Sequence, residues 1–591
     1  MNRFESIAIL RTIKGKPGVS TLDTINITGL SAQEVKAFIN KNISNGLLSG
    51  DIDSLFLSDK GLDYLEQLKV DNAIVLAAGF GSRCVPLTYE TPKGLLTIHG
   101  KPMLERQIEQ LKESGVEEII IVVGYLKEKF EYMIDKYGVK LVFNPEFSTK
   151  NNLTSLYYAL PHLKNSYLLC ADNWIENNIF NAYEADSWFS CLYMEGPTPE
   201  WSVKHAKDDR IQKIMIGGSD CWTIVGPAYF TQSFSNVFSK LIVDYYNKPG
   251  TEDYYWEHVL KDHISQLPIY MNRQTGNVHE FENVTELRSY DISYIDNSRN
   301  GIMETIASVH GVNEGEIHDI VSIKEGLTNK SFRFSIGEKQ YVFRLPGTGT
   351  EKLINRANEK SVYDVIGPLG ISDEIVFFDA SSGIKISKYY ENTRIADPFD
   401  DEDLKISMVQ IKKIHQSGAS AKHSFNIESM INYYYSLANE IDAVRFSDIN
   451  EVLGKVRELF SLRKSLNIPE VLCHGDYAHT NVLLFDDNES KIIDWEFAGM
   501  SDPIMDVSMF AIFAQFDQAR IDLSLRLYLD REPTGVEQSR LYLYVALGGF
   551  LWSMWSQYKQ GLGQEFGTYP MIMYRYMKDY YKLLRDVLPL T

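Results

Sequence analysis

Cysteine is scarce in this chain and never paired: Cys84, Cys170, Cys191, Cys221 and Cys473 stand alone, with no CxxC. That pattern excludes a zinc ribbon and a disulfide framework, and it fits a reducing compartment. No apolar run approaches the ~18–20 residues of a membrane span, and the first residues lack the basic-then-apolar order of an export signal. A soluble, cytoplasmic protein without membrane insertion is therefore expected. Positive charge is also short. The 59 Lys and Arg against 79 Asp and Glu give a formal net charge of -20, which disfavours nucleic-acid and anionic-membrane surfaces but leaves room for local cationic pockets. The GxxxxGK[ST] phosphate loop is absent. What remains is length and apolar content: 591 residues, 44% hydrophobic, exceed what one core holds, so several domains are expected.

Residues 1–70 read as three helices, a hairpin and a closing helix. Ser31 with Glu34 three residues on is a capping pattern, and Asn45-Gly46 is a turn signal. The order resembles a winged helix. Its eight Lys and Arg are matched by eight Asp and Glu, so it lacks the cationic excess of a DNA reader, and a docking or regulatory role is expected.

From residue 71 the pattern alternates strand and helix, which implies a mostly parallel sheet with its site at the strands' carboxyl ends. The stretch AIVLAAGFGSRCVPLTYETPKGL, Ala73 to Leu95, is a buried strand running into a loop of small residues that ends on two cations, Arg83 and Lys93. Leu76, Ala77, Ala78, Gly79 and Gly81 can bring backbone N–H groups onto phosphates, and Arg83 and Lys93 add charge. Asp172 closes the strand Tyr167–Ala171, where a carboxylate can hold a metal against phosphate. Asn152 and Ser155 open a helix, where capping accounts for them locally. LxxGxGxRxxP followed by PK resembles the sugar-phosphate and alcohol-phosphate nucleotidyltransferases, and this family resemblance implies that Asn152 and Ser155 contact the nucleotide instead. Thr251 to Glu257, TEDYYWE, is similar to the acid-and-aromatic stretch of bacterial phosphocholine cytidylyltransferases. That resemblance implies CTP as substrate, Mg²⁺ on Asp172, and Glu257, with Glu282 as the other candidate, as second metal ligand. It also implies Trp201, Asp253, Tyr255 and Trp256 around a trimethylammonium group, which offers no N–H and is held by aromatic faces and carboxylates.

The turn-forming residues 296–301 mark a boundary, giving expected domains of 1–70, 71–298 and 299–591. Beyond it come strands around Glu325–Lys330, then Arg344 in YVFRL and Glu359 in NRANEK, a cation and the helical acid that can brace it. Cys473 to Asn481, CHGDYAHTN, precedes IIDWE at Ile492–Glu496. Asp476 can orient an acceptor hydroxyl, and Asn481 and Asp494 can hold Mg²⁺ on ATP. HGDxxxxN with a strand ending in Asp resembles choline kinases and aminoglycoside phosphotransferases. The resemblance implies a bilobal, protein-kinase-like domain, with Thr328 and Asn329 over the nucleotide and Glu496 near the acceptor. It also places Trp552 and Trp555, three residues apart on one helical face, in a choline cage.

The expected class is thus a multidomain α/β and α+β protein: winged helix, Rossmann-like nucleotidyltransferase domain and kinase-like domain. Together the halves would turn choline, ATP and CTP into CDP-choline through phosphocholine. The alternatives are the same reactions on ethanolamine or another amino alcohol or aminophosphonate, and a DNA-binding regulator with sensor domains. A homo-oligomer and a downstream phosphocholine transferase are the protein partners left open.

Overall fold

The computed structural model describes residues 2–323, 329–347, 354–486, 489–564 and 566–587. Thr328 lies outside the described residues. The chain divides into two compact units, residues 1–318 and 319–591. This division falls after the turn at 296–301, so the helix Gly301–His310 belongs to the first unit. Asn300 Nδ2 donates to Glu90 at 2.7 Å and Arg288 Nη2 to the Glu314 carbonyl at 2.6 Å, which ties that segment back onto the first unit.

In the first unit, helices α1 (Arg3–Gly15), α2 (Thr21–Thr28) and α3 (Ala32–Ser44) precede a hairpin of β1 (Leu48–Asp51) and β2 (Ser54–Leu57), and helix α4 (Asp59–Glu66) follows it. Ser31 caps α3 by accepting from the Glu34 N–H, as its sequence signal indicates. This module packs on residues 181–187. Arg3 pairs with Asp186 at 2.6 Å, Arg11 donates to the Tyr183 carbonyl at 2.9 Å, and Ala185 joins the module's core.

The rest of the unit is built on β3 (Asn72–Ala77), β4 (Glu118–Val123), β5 (Lys140–Phe143), β6 (Ser166–Cys170), β8 (Trp188–His205), β9 (Ile211–Phe230) and β10 (Tyr270–Gln274); β7 (Asn173–Ile175) lies between β6 and β8 in the chain. They form a seven-stranded sheet in the order β10-β8-β9-β6-β3-β4-β5, parallel across β6-β3-β4-β5. Apolar residues alternate to its two faces: Ile74, Ile120 and Leu168 to one core, Val75, Ile121 and Leu169 to the other. A second ladder pairs β7 with β11 (Val278–Glu280), antiparallel, with Glu280 opposite Asn173.

The second unit begins with a five-stranded sheet of β12 (Ile317–Ile323), β13 (Asn329–Ile336), β14 (Lys339–Pro346), β15 (Ile375–Phe378) and β16 (Lys385–Lys388), in the order β12-β13-β14-β16-β15. Helix α5 (Arg356–Ile366) runs between β14 and β15 in the chain. The helical part includes α6 (Asp401–Gln416), α7 (Pro503–Phe513), α8 (Gly535–Gly561) and α9 (Tyr569–Val587). They share one apolar core with Cys473, Tyr477 and Trp495, so the loops carrying the chemistry are rooted in it. Among the described residues no helix is long and apolar enough to cross a membrane.

Candidate active sites

The first unit has a cleft of about 480 Å³ at the carboxyl ends of β3 and β6. Leu76, Ala77, Ala78, Gly79, Gly81, Arg83, Lys93, Asn152, Ser155, Asp172, Asp253 and Tyr255 all line it, so the strand-end loops bring together most of the residues singled out from sequence. Gly81 must be glycine: its φ is 70°, and a Cβ there would sit 3.0 Å from Thr88 Cγ2 and 3.1 Å from Lys93 Cβ.

Lys93 Nζ lies 2.7 Å from Asp172 Oδ2. Burial pushes the Asp172 carboxyl up, but the Lys93 charge and hydrogen bond outweigh it and hold the carboxyl below its usual range. The amine is correspondingly raised: burial would lower it, and Asp172 reverses the sign. Arg83 is more exposed and pairs with Glu282.

Sequence reasoning missed Glu280. The β7–β11 register sets it opposite Asn173, beside Asp172, and it lines the cleft. Burial first, then the charge of Asp172, lifts its carboxyl to about 7. The signal was the acid pair in VHEFE, but only the pairing register decides which acid faces the cleft.

Three residues are placed differently from expectation. Glu257, on the first turn of the helix Trp256–His263, is not among the cleft-lining residues; its Oε2 is buried without a hydrogen-bond partner, and burial lifts its carboxyl to about 8. Trp256 is 2% exposed and stacks on Phe189 at 5.2 Å in the core, since the helix start turns its ring inward as Tyr255 faces the cleft. Trp201, on β8, meets His258 edge-on at 4.8 Å and does not line the cleft.

In the second unit the loop 474–481 joins β17 (Val471–Cys473) to β18 (Val482–Phe485). Asp506, on α7, accepts from the His474 N–H at 2.7 Å and the Gly475 N–H at 2.9 Å, and its Oδ2 lies 3.1 Å from His415 Nε2. Gly475 has φ 82°, and a Cβ there would lie 2.4 Å from the Phe497 carbonyl oxygen, so the loop passes the following segment as only glycine can. Asn481 Nδ2 donates to the Asp476 carbonyl at 3.1 Å, closing the loop. Burial, then Asp494, Glu496 and Asp506, raises the Asp476 carboxyl well above its ordinary range.

A charged cluster adjoins this loop. Arg344 Nη1 lies 2.6 Å from Glu359, 3.5 Å from Asp494 and 3.8 Å from Glu496. Arg356, which sequence reasoning passed over although it stands one helical turn before Glu359, lies 2.7 Å from Glu359 and 3.1 Å from Glu496. Asn329 Nδ2 donates to Glu496 at 3.0 Å. Glu496 is therefore turned toward Arg356 and Asn329 rather than standing alone near an acceptor; burial and Asp494 lift its carboxyl to about 7.

Trp552 and Trp555 meet edge-to-face at 5.5 Å on α8. Phe513 lies 5.0 Å and Phe497 6.5 Å from Trp552, and Phe566 lies 5.3 Å from Trp555. Phe497 follows Glu496 directly, so the aromatic wall abuts the acid-bearing turn. The Tyr434 and Tyr569 phenols are raised by burial and, in part, by the charge of Asp476, which sets both rings near it. The Trp552 indole N–H is buried with no hydrogen-bond partner among the described residues.

Residues 73–172 match the MobA-like NTP transferase domain, and residues 319–538 match the phosphotransferase enzyme family. A choline-phosphate cytidylyltransferase of Streptococcus pneumoniae is 37% identical over 220 residues, 37% of this chain and 96% of that protein. A 2-aminoethylphosphonate cytidylyltransferase of Lancefieldella rimae is 35% identical over 229 residues, 38% of this chain and 93% of the relative. The crystal structure of the choline kinase LicA from Streptococcus pneumoniae is 25% identical and covers 48% of this chain and 98% of its own, with a TM-score of 0.43. With cytidylyltransferases matched at this identity across nearly their whole length, the chain is a transferase that belongs to the nucleotidyltransferase family through its first unit and carries a domain of the phosphotransferase enzyme family in its second.

Proposed function

We propose that the second unit transfers the γ-phosphoryl group of ATP to the hydroxyl of choline, and that the first unit transfers the cytidylyl group of CTP to the resulting phosphocholine, releasing pyrophosphate. The observation that carries the acceptor assignment is the aromatic wall of Trp552, Trp555, Phe513 and Phe497, which continues through Phe566 to Tyr569 near Asp476. A quaternary ammonium donates no hydrogen bond and is held by aromatic faces with a carboxylate nearby, each face contributing roughly 0.5–2 kcal/mol. The cytidylyltransferase relative, named for choline phosphate, supports the sequel.

In the second unit Asp476 orients the acceptor hydroxyl and takes its proton; burial and three acidic neighbours raise its proton affinity, which suits that role. Arg344 faces the nucleotide phosphates. In the first, backbone N–H groups of Ala78 to Gly81, with Arg83 and Lys93, hold the triphosphate while a phosphocholine oxygen attacks the α-phosphorus in line and pyrophosphate leaves. Asp253 and Tyr255 line the same cleft on the acceptor side. Asp172 and Glu280 would hold a divalent cation: both line the cleft, and burial and then the charge of Asp172 raise the proton affinity of Glu280, which a bound cation would offset. Asn481 and Asp494 form the corresponding set in the second unit. Bound there, Mg²⁺ neutralises phosphate oxygens.

The test is one incubation of the chain with choline, ATP, CTP and Mg²⁺, following ADP, pyrophosphate and CDP-choline. Wild type should make CDP-choline, Lys93→Ala should stop at phosphocholine, and added phosphocholine should rescue Asp476→Ala. A second reading, phosphorylation of ethanolamine followed by cytidylyl transfer to phosphoethanolamine, or cytidylyl transfer alone to 2-aminoethylphosphonate, which has no hydroxyl to phosphorylate, is favoured by the Lancefieldella relative and by Asp253, which can accept N–H donors. Turnover of those compounds with choline and phosphocholine inert would select it.

A further inference from the structure

Arg344 uses one nitrogen for all its acidic contacts. Nη1 meets Glu359, Asp494 and Glu496, while Nε and Nη2 are buried with no hydrogen-bond partner among the described residues. Idle donors on a buried guanidinium are costly unless a ligand takes them. Two carboxylates stand close enough to take them first: Glu359, which already touches Nη1, and Glu496 at 3.8 Å.

A second guanidinium opposes that. Arg356 is 9% exposed and pairs through Nη1 with Glu359 Oε2 at 2.7 Å and Glu496 Oε2 at 3.1 Å; its Nη2 donates to Asn329 Oδ1 at 3.3 Å. Asn329 in turn donates to the same Glu496 oxygen at 3.0 Å. Glu496 is thus drawn away from Arg344 by two partners on different elements, β13 and α5. Removal of Arg356 would leave three buried or half-buried acids, Glu359, Asp494 and Glu496, in contact with one guanidinium, Arg344, with the buried Lys385 acting on Glu359 alone. The nearest relief for a desolvated carboxylate is then the pair of idle nitrogens on Arg344.

We propose that Arg356 is a positioning residue for phosphoryl transfer: by holding Glu359 and Glu496 it keeps the remaining donors of Arg344 open to the nucleotide phosphates. The proposal rests on the phosphotransferase reading of the second unit and assigns Glu496 to the nucleotide side of the site. It predicts a specific pattern of rescue, because the harm done by losing Arg356 comes from an acid that can itself be neutralised.

The experiment uses the full chain, with ATP and choline varied independently, ADP release as readout, and calorimetric titration with Mg·ATP alongside. Arg356→Ala should raise KM for ATP about tenfold or more and weaken Mg·ATP binding in parallel, with KM for choline within about twofold. Arg356→Ala combined with Glu496→Gln should recover most of the lost ATP affinity, which a merely structural role for Arg356 would not allow. A double variant as weak as the single, or an effect confined to choline, overturns the proposal. Should Arg356→Ala lose the melting transition of the second unit, Arg356→Lys, which keeps the charge but not the fork that reaches both acids, takes its place with the same expected order of constants. If wild type releases ADP with ethanolamine and not with choline, the acceptor assignment has failed, and the Mg·ATP titration still decides the role of Arg356.

Discussion

Replacing Glu257 by Gln distinguishes a metal ligand from a buried neutral acid. Burial lifts this carboxyl from 4.5 to about 8. Between those values the folded protein holds a proton that the unfolded chain has released, so stability falls as pH rises through that window and is flat above it. At about 1.4 kcal/mol per pH unit the ceiling is about 5 kcal/mol, and water reaching the part-exposed side chain brings the expected effect to about 2–3 kcal/mol. Glutamine has the same shape and no titration. The stability difference between Glu257→Gln and wild type should therefore widen from pH 5 to pH 8 and stay constant above it. For a unit of this size that is a difference of roughly 3–5 °C in the melting transition of the first unit, measured by scanning calorimetry on metal-free protein. Pyrophosphate release from CTP and phosphocholine should stay within about threefold of wild type at pH 7. Parallel melting curves would show that Glu257 is ionised and end the burial argument, and a loss of activity near a hundredfold with a raised Mg²⁺ requirement would show that it ligates the metal.

Glu280→Gln should instead cut pyrophosphate release by about a hundredfold or more and raise the Mg²⁺ concentration for half-maximal rate, because Glu280 lines the cleft beside Asp172. Trp552→Ala, which removes one aromatic face and its contact with Phe513, should raise KM for choline about tenfold while leaving KM for ATP unchanged, as steady-state ADP release will show. Asp502 caps α7 by accepting from the Ile504 N–H at 2.9 Å and pairs with the mostly buried Arg540. Asp502→Ala should therefore destabilise the second unit by about 3–5 kcal/mol, read from its denaturant midpoint, with the first unit's transition unmoved.

The glycine loop with Arg83 and Lys93, and the CHGDYAHTN and IIDWE segments, were legible because each packs its chemistry into one short loop at a strand end, where local spacing sets the geometry. Strand and helix order was legible for the same reason: β4 spans Glu118–Val123 and the third helix of the first module starts after its Ser31 cap, both set by local pattern. What sequence could not rank was choice among neighbours. Glu257, Glu280 and Glu282 carry the same chemistry within 25 residues, and only the β7–β11 register selects Glu280 by setting it opposite Asn173. Trp256 and Tyr255 are adjacent, yet the start of a helix turns one ring to the core and leaves the other on the cleft. Arg356 and Glu496 lie 140 residues apart, and their ion pair exists because α5 and the strand-end turn converge. Sequence by itself therefore determined which chemistries the chain carries, since a catalytic loop is a local object. Tertiary structure alone decided which acids and rings meet them, since burial, strand register and helix phase are set by contacts between segments far apart in the chain.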